Sequence, residues 1–485
     1  MKGSAKITRQ ESDQVHSQPS VLSSAVVVAS LSAFLGSLDS ALNISFPAIT
    51  AAFSLEVSSI QWVIVGYVLP HASLLLGCGR LADIWGHGRV LTWGLLSSSL
   101  AFLGCGLAPS FGWLVAARAA QGLGAALISG SAPALVILAV PPAGRGRALG
   151  IYQMSMAVGF AAGPLLGGVL VDLFGWRAVF LFRLIPAMLL VWLTAAKLPA
   201  LREHREPEGF DLAGALTLAL SLASLLLAIS QSRRGGWSSS GVIALGVGFA
   251  ACFSGFIITE RRARAPVVDL SLFRHVPFVI ANLLAVLANC ARFAVGLLVP
   301  YYVIEVLRYS AATGGTLMLA AAVMAPLAAP VAGRLSDRFG TAALSALGLA
   351  LEGLGLWMVS RLDSQSEYLW VAVALCIVGL GLGVFETPNM SFVMGSVPRH
   401  QQGVAGSIAN MMRPLGIVFG ATGWSMLLDA RREFHSQSPS MGAAAAFHGF
   451  VPAFQDVFAV AAALCAVAWI LSLFRVQKSW SLKHL

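Results

Sequence analysis

The stretch Gly79-Arg-Leu-Ala-Asp-Ile-Trp-Gly86 decides the fold, because it occurs again as Gly333-Arg-Leu-Ser-Asp-Arg-Phe-Gly340. The first copy follows the second long apolar segment of the chain, and the other copy follows the tenth. A repeat in matching positions indicates two structurally related halves. Halves of six helices would place the second copy after the eighth segment, so the sequence predicts two extra helices between the halves.

The composition of the 485-residue chain is that of a helical membrane protein. Hydrophobic residues make up 57% of it and charged residues 11%, and the mean hydropathy is +0.81. Soluble proteins carry about 25% charged residues, so a cytosolic enzyme, a disordered chain and a secreted disulfide scaffold are excluded. A bilayer-spanning helix takes about 20 apolar residues. The fourteen predicted spans lie near 22–46, 60–81, 89–108, 112–138, 147–170, 177–196, 212–230, 241–259, 277–303, 311–332, 342–360, 369–394, 403–428 and 452–474.

The distribution of basic residues predicts the orientation. With the N-terminus in the cytoplasm, 20 basic residues fall in cytoplasmic segments and 7 in outer loops. Because basic residues favour the cytoplasmic side, the net charge of +10 indicates topology rather than a nucleic-acid partner. We expect a cell inner-membrane protein with both termini cytoplasmic. The predicted units are an N-terminal tail 1–21, a six-helix bundle 22–196, linkers with two extra helices 197–276, a second six-helix bundle 277–474 and a C-terminal tail 475–485.

Four motifs resemble those of one transporter family, the major facilitator superfamily. The stretch Gly79–Arg89 resembles its signature loop, and Arg118–Gly124 in the fourth span resembles its R-x-x-Q-G-x-G pattern. Gly159–Gly168 in the fifth span resembles the antiporter motif G-x-x-x-G-P-x-x-G-G. Leu38–Pro47 in the first span resembles a stretch of the fourteen-helix drug:proton antiporter branch, with the aspartate-to-asparagine spacing one residue shorter.

The resemblance implies an all-α polytopic membrane protein with two six-helix bundles plus two extra central helices. It also implies that the octapeptide forms a cytoplasmic loop and acts as a conformational latch, in which Asp83 meets a helix N-terminus or Arg89. The expected latch residues are Gly79, Asp83, Gly86, Arg89, Gly333 and Asp337. In the fifth span, small residues allow close helix packing and a proline introduces a bend. The antiporter-motif residues are Gly159, Gly163, Pro164, Gly167 and Gly168.

Ionisable residues inside a span are costly and therefore mark candidate sites. Asp39 is the first candidate for a proton carrier, with Arg118 as its partner. A substrate that displaces the arginine would change how readily Asp39 binds a proton, so substrate binding and protonation would be coupled. The alternative is a static ion pair that fixes helix packing. Glu386 is a candidate for binding a cationic substrate or a second proton, and a structural role is about equally favoured.

Other polar residues in the spans have weaker assignments. Arg183 is expected to snorkel or to pair structurally, and Glu352 to lie at the membrane edge or in helix packing. His71 is interpreted as a packing residue, with a proton relay as the alternative. Asp39 and Asn43 are four residues apart in the first span, so we expect them to lie on one helix face.

The excess of arginines over acids inside the spans suits neutral or anionic amphipathic substrates at least as well as cations. The predicted function is a proton-coupled antiporter that exports drugs, antibiotics or toxic metabolites. The alternatives are a facilitator or symporter for an anionic or neutral metabolite and, more remotely, a membrane-embedded enzyme or sensor. We expect protons, a small-molecule substrate and the bilayer as partners, a functional monomer, and no cofactor or metal. The candidate cavity residues are Asn43, Trp62, Tyr67, Gln121, Arg292, Phe385, Met412 and Arg413.

Overall fold

The computed structural model describes residues 19–141, 144–197, 212–236, 238–262, 270–398, 401–436 and 449–481. Within these residues all regular structure is helical, as predicted. The predicted tail 1–21 and the linker 198–211 lie almost wholly outside the described residues. The helices are α1 Pro19–Ser37, α2 Phe46–Ala52, α3 Gln61–Trp85, α4 His87–Gly106, α5 Phe111–Leu138, α6 Arg145–Phe174, α7 Ala178–Leu181, α8 Leu184–Lys197, α9 Leu212–Gly235, α10 Ser240–Arg262, α11 Val276–Tyr301, α12 Ala311–Phe339, α13 Thr341–Val359, α14 Tyr368–Gly395, α15 Gln402–Ser436 and α16 Phe450–Ser481.

Eleven helical stretches in the described part of the chain are long and apolar enough to cross a membrane. The prediction of a polytopic helical membrane protein is therefore confirmed. The three other predicted spans coincide with α4, α9 and α15. The last helix, α16, continues to Ser481, beyond the predicted end of its span at residue 474.

The first span is interrupted in its middle, which the sequence did not predict. Between α1 and α2 the residues Leu38–Ser45 form a 3-10 helix. Pro47 in the first turn of α2 lacks an N–H and its ring excludes the carbonyl four residues earlier, and the Ser45 hydroxyl donates to the Leu42 carbonyl at 2.7 Å. A 3-10 helix has three residues per turn. The prediction that Asp39 and Asn43 share a face is therefore wrong.

The repeated octapeptide is mostly helical rather than a loop, so the predicted loop is also wrong. Its first seven residues form the last turns of α3 in one copy and of α12 in the other. The chain turns only at Gly86 and Gly340, both with φ of +91°. Glycine adopts this left-handed conformation without steric cost, and α4 and α13 begin at the next residue. The two copies thus have the same backbone conformation.

The two halves are joined by apolar packing at one end of the helices and have separate cores at the other. At the end opposite Gly86, one buried cluster contains Ile60 and Leu114 of the first half together with Leu298 and Phe454 of the second. At the Gly86 end the first half has its own cluster. At the same end, buried residues of the second half, among them Phe278, form a different cluster.

Helices α6 and α12 form a close contact between the halves. A Cβ added at Gly168 would overlap the backbone of Ala311, and one added at Gly315 would overlap the Pro164 carbonyl. At the same end, the two carboxylate oxygens of Asp172 accept hydrogen bonds from the amides of Ala311 at 3.0 Å and Ala312 at 2.8 Å. This contact therefore holds the halves together at the end where their cores merge.

The two extra helices, α9 and α10, pack against each other, and α9 also packs beside α3 and α15. Leu218 of α9 and Phe256 of α10 lie in one buried cluster with Phe278 and Ile408 of the second half. The two extra helices thus pack against the side of the two six-helix bundles.

Candidate functional site

The Asp39 carboxylate binds two arginines and an amide. Arg118 donates through Nη1 to Oδ1 at 2.8 Å and through Nη2 to Oδ2 at 2.9 Å. Arg183 Nη1 donates to Oδ1 at 2.8 Å, and Gln121 Nε2 donates to the same oxygen at 2.9 Å. The bidentate geometry of Arg118 is the strongest form of such a pair. We call these four side chains the Asp39 cluster.

Both arginines make further contacts, with backbone carbonyls and aromatic rings, that hold them in place. Arg118 Nε donates to the Val63 carbonyl of α3 at 3.1 Å, and its guanidinium lies 4.3 Å from the centre of the Tyr67 ring. Arg183, between α7 and α8, donates through Nε to the Val179 carbonyl at 3.1 Å. It lies 4.5 Å from the Phe102 ring centre. These contacts fix the guanidinium groups before any ligand arrives.

The charge of the Asp39 cluster is unbalanced. Two guanidinium groups face one carboxylate, and Arg183 Nη2 is buried without a hydrogen-bond partner. Arg118 and Arg183 are 2% and 0% exposed, whereas the Asp39 side chain retains 16% exposure. Water or a solute can therefore reach the carboxylate but not the arginines, and a positive charge remains behind it.

Arg183 is the member of the cluster whose partner the sequence does not identify, although structural pairing is one of its two predicted roles. Its side chain does not snorkel to the membrane edge, because it is fully buried and bound to a residue 144 positions away. Its only sequence signal is an arginine inside an apolar span, which shows that a partner is required but does not identify it.

The glycines of the antiporter motif hold the segment that carries Asp39. Added Cβ atoms would overlap the backbone or side chain of Phe34 at Gly159, of Ser40 at Gly163 and of Ala41 at Gly167. The Ser40 hydroxyl also donates to the Phe160 carbonyl of α6 at 2.9 Å. Helix α6 therefore connects the 3-10 segment to α12 of the other half.

The second half has its own group of charged side chains, from α11, α13, α14 and α15. Arg292 Nη2 donates to Asn289 Oδ1 at 3.0 Å, and the electrostatic neighbours of Arg292 are Glu352, Glu386 and Arg413. Glu352 is 0% exposed, so the predicted membrane-edge position is wrong. Glu386 is half-buried.

The remaining predicted cavity residues divide into three groups. Arg413 reaches across to the first half, where its guanidinium lies 5.5 Å from the Phe160 ring centre. Trp62, Asn43 and Met412 are partly exposed. Phe385 is 1% exposed and packs in the core between α11, α13 and α16, so its predicted place in the cavity is wrong: Gly348 of α13 lies directly against its backbone.

His71 lies one turn of α3 from Tyr67. Its Nε2 is 3.2 Å from the Ser129 hydroxyl, and the two rings are 5.7 Å apart. This geometry fits the interpretation as a packing residue and leaves the relay alternative untested.

The predicted latch has different contacts in its two copies. Asp83 lies 3.7 Å from Arg80 and 3.4 Å from His87, whereas Arg89, its expected partner, is exposed. In the second copy Asp337 is exposed. The backbone is repeated, but the side-chain interactions are not.

The chain matches known proteins over most of its length. Residues 27–421 match the family model described as the Major Facilitator Superfamily. The chain belongs to the major facilitator superfamily. It is 28% identical over 464 residues to "Riboflavin transporter RibZ" of Clostridioides difficile, which covers 94% of this chain and 97% of that protein. It is 33% identical over 432 residues to "Cephamycin export protein CmcT" of Amycolatopsis lactamdurans, covering 87% and 88% of the two chains.

The fold is also shared with a solved transporter of this family. A bacterial homolog of the human lysosomal transporter Spinster, in an inward-facing and unoccupied conformation, superposes with a TM-score of 0.67 at 16% identity. The match covers 94% of this chain and 97% of the other. The superfamily match and the apolar helices show a multi-span membrane transporter of small-molecule substrates, a class whose members are generally not enzymes.

Proposed function

We propose that this transporter is a proton-coupled antiporter that exports small amphipathic compounds, such as antibiotics or toxic metabolites, from the cytoplasm. The observation that carries the proposal is the Asp39 cluster, in which a partly exposed carboxylate is bound by two sealed arginines. Such a carboxylate can exchange its arginine partners for a proton. The antiporter motif Gly159–Gly168 and the stretch Leu38–Pro47, which resembles the drug:proton antiporter branch, support the same direction of transport.

Protonation of Asp39 would act on the contact between the halves. A neutral carboxyl loses its ion pairs with Arg118 and Arg183, so the 3-10 segment becomes free to move. Because that segment is packed on the glycines of α6, and α6 on α12, its movement would loosen the joined end of the bundle. Small shifts are converted into large ones because packed interfaces have discrete alternative arrangements.

The orientation of the protein in the membrane sets the direction in which protons and substrate move in this cycle. With fourteen spans and both termini in the cytoplasm of the cell inner membrane, the Gly86 end faces the cytoplasm, as the excess of basic residues there favours. The halves are then joined at the outer end of the helices, and their buried clusters are separate at the cytoplasmic end. A proton that enters from outside and leaves inside contributes about 2.3 kcal/mol per 100 mV of membrane potential.

The charge of the site indicates the class of substrate. The Asp39 cluster carries one positive charge in excess, and Arg292 and Arg413 add two more beside Glu386. A neutral or anionic amphipathic compound fits this potential better than a lipophilic cation. The relatives named for riboflavin transport and for cephamycin export supply two compounds for the substrate panel.

The test uses the purified full-length transporter in proteoliposomes with an imposed pH gradient. Riboflavin, a cephamycin and a lipophilic cation serve as the substrate panel. We expect Asp39→Asn to abolish uptake driven by the gradient and to leave the folded protein intact. Glu433→Gln, which removes an exposed carboxylate at the end of α15, is the matched control and should transport like the wild type. Gradient-driven transport by Asp39→Asn at the wild-type rate would overturn the proposal.

The same arginine excess favours one alternative, a symporter or facilitator for an anionic metabolite. A symporter carries protons in the same direction as its substrate. The pH change on the substrate-receiving side therefore decides: antiport removes protons from that side and symport adds them.

A further inference from the structure

Glu352 is buried in the second half, and none of the described residues forms a hydrogen bond with its side chain. It lies in the middle of α13, is 0% exposed, and neither of its carboxylate oxygens has a partner. Gly381 of α14 packs against its backbone so closely that a Cβ there would overlap it. This tight packing leaves the carboxyl group shielded from water.

The charged and titratable groups that face Glu352 come from the helices packed around it. They are Arg292 of α11 and Glu386 of α14, with the Cys465 thiol of α16 also nearby. Among the described residues, no ion pair within 4.0 Å joins the Arg292 guanidinium to either glutamate. Arg292 Nε is itself buried without a hydrogen-bond partner. An acid and a base therefore lie near each other and remain unpaired.

An ionised carboxylate in this position is strongly disfavoured. A buried charge without ion pair or hydrogen bond costs far more than a buried neutral group, so the carboxyl group takes up a proton instead. Glu386 differs, because it is half-buried and can be hydrated. Arg292 Nε has no hydrogen-bond partner among the described residues. It would therefore be available to donate to the Glu352 carboxylate when the helices move.

We infer that Glu352 is a second proton-binding site of this transporter, neutral in the conformation described and ionised by pairing with Arg292 in the alternative one. On ionisation the carboxyl O–H bond breaks, the proton passes to water in the cavity, and the carboxylate pairs with the guanidinium. The role of this proton in transport rests on the proposed antiport; the presence of the proton does not.

Infrared spectroscopy of the purified full-length protein at neutral pH tests the inference without any substrate. The wild type should show the carbonyl stretch of a protonated carboxylic acid, shifted by deuterium exchange. Glu352→Gln should lose this band, and Glu386→Gln, the matched control, should keep it. A wild type without the band, or a band that survives in Glu352→Gln, would overturn the inference. Should Glu352→Gln fail to fold, Glu352→Asp replaces it: this variant keeps a carboxyl group on a shorter side chain and should shift the frequency of the band, and a band unchanged in Glu352→Asp would overturn the inference.

Transport measurements separate this inference from the proposed function. With the panel compound that the wild type exchanges, Glu352→Gln should lower the number of protons moved per substrate while substrate exchange persists. If the wild type moves no protons but Glu352→Gln loses the infrared band, the antiport proposal fails and the proton site stands. An unchanged proton-to-substrate ratio in Glu352→Gln contradicts its role in coupling.

Discussion

Asp39 and Glu352 are buried acids in opposite halves of the transporter, and they differ in hydrogen bonding and in solvent exposure. Asp39 accepts hydrogen bonds from two arginines and a glutamine and keeps 16% exposure. Glu352 has no hydrogen-bond donor and no exposure. An acid inside a membrane protein can be stabilised by pairing or by neutralisation. Only the paired acid is placed to exchange a partner for a proton without first moving a helix.

The largest expected effect comes from removing the main partner of Asp39. Arg118→Ala leaves the carboxylate with Arg183 and Gln121 and should destabilise the protein by about 3–5 kcal/mol, the usual loss when a buried pair is broken. Arg183→Ala should cost about 1.5–3 kcal/mol, as for one hydrogen bond to a charged group, because the bidentate pair remains. Thermal unfolding of the two variants in detergent measures the difference. Equal losses would contradict the dominant role of Arg118.

The same comparison predicts that Arg292→Ala is tolerated far better than Arg118→Ala. Arg292 makes one hydrogen bond, to Asn289, and no ion pair is lost with it. Thermal unfolding should show a smaller loss than for either arginine of the Asp39 cluster. A loss as large as that of Arg118→Ala would indicate that Glu352 depends on Arg292 in this conformation and is ionised.

An intermediate effect is expected from the packing under Asp39. Gly163→Ala places a Cβ against Ser40 and should cost about 1–3 kcal/mol, as overpacking does, while displacing the Asp39 segment. Gly150→Ala is the matched control on the same helix, since nothing lies within 4 Å of its added Cβ. Thermal unfolding and gradient-driven transport of both variants measure the effect. Equal behaviour of the two would show that α6 does not position Asp39.

The smallest effect is expected at the contact between the halves. Asp172→Asn removes the negative charge from the N-terminus of α12, where it is worth about 0.3–1 kcal/mol. The population with this end open should rise by a small factor. Spin labels in the 107–110 and 307–310 loops report that population through their distance distribution. Glu433→Gln controls for loss of an exposed charge, and an unchanged distribution in Asp172→Asn would contradict a role in closure.

The sequence predicted the helices because long apolar segments bounded by charges and glycines leave few alternatives in a membrane. It also identified Asp39, Arg118 and Gln121, because these residues lie in recognisable motifs. It did not predict the 3-10 segment, which depends on Pro47 and on the packing of α6. Nor did it predict the place of Arg183, since that depends on how two distant helices meet.

The second half was predicted less well for a related reason. Glu352, Arg292 and Phe385 lie outside the recognised motifs, so only their residue types were informative. Phe385 was assigned to the cavity on its aromatic character, yet the close approach of Gly348 places it in the core. An apolar side chain in a membrane span can face lipid, core or cavity, and composition does not distinguish these environments.

The most direct test of the central claim, that Asp39 exchanges its arginine partners for a proton, is substrate-induced proton release from the purified transporter. The transporter is first equilibrated in acidic, weakly buffered detergent solution, in which Asp39 takes up a proton in place of its arginine partners. The panel compound transported by the wild type is then added, and the pH is followed with an indicator dye. We predict proton release by the wild type and by Glu433→Gln. Asp39→Asn should release fewer protons when its folding and substrate binding are retained, because only the proposed Glu352 site remains. Proton release by Asp39→Asn equal to that of the wild type would contradict the claim.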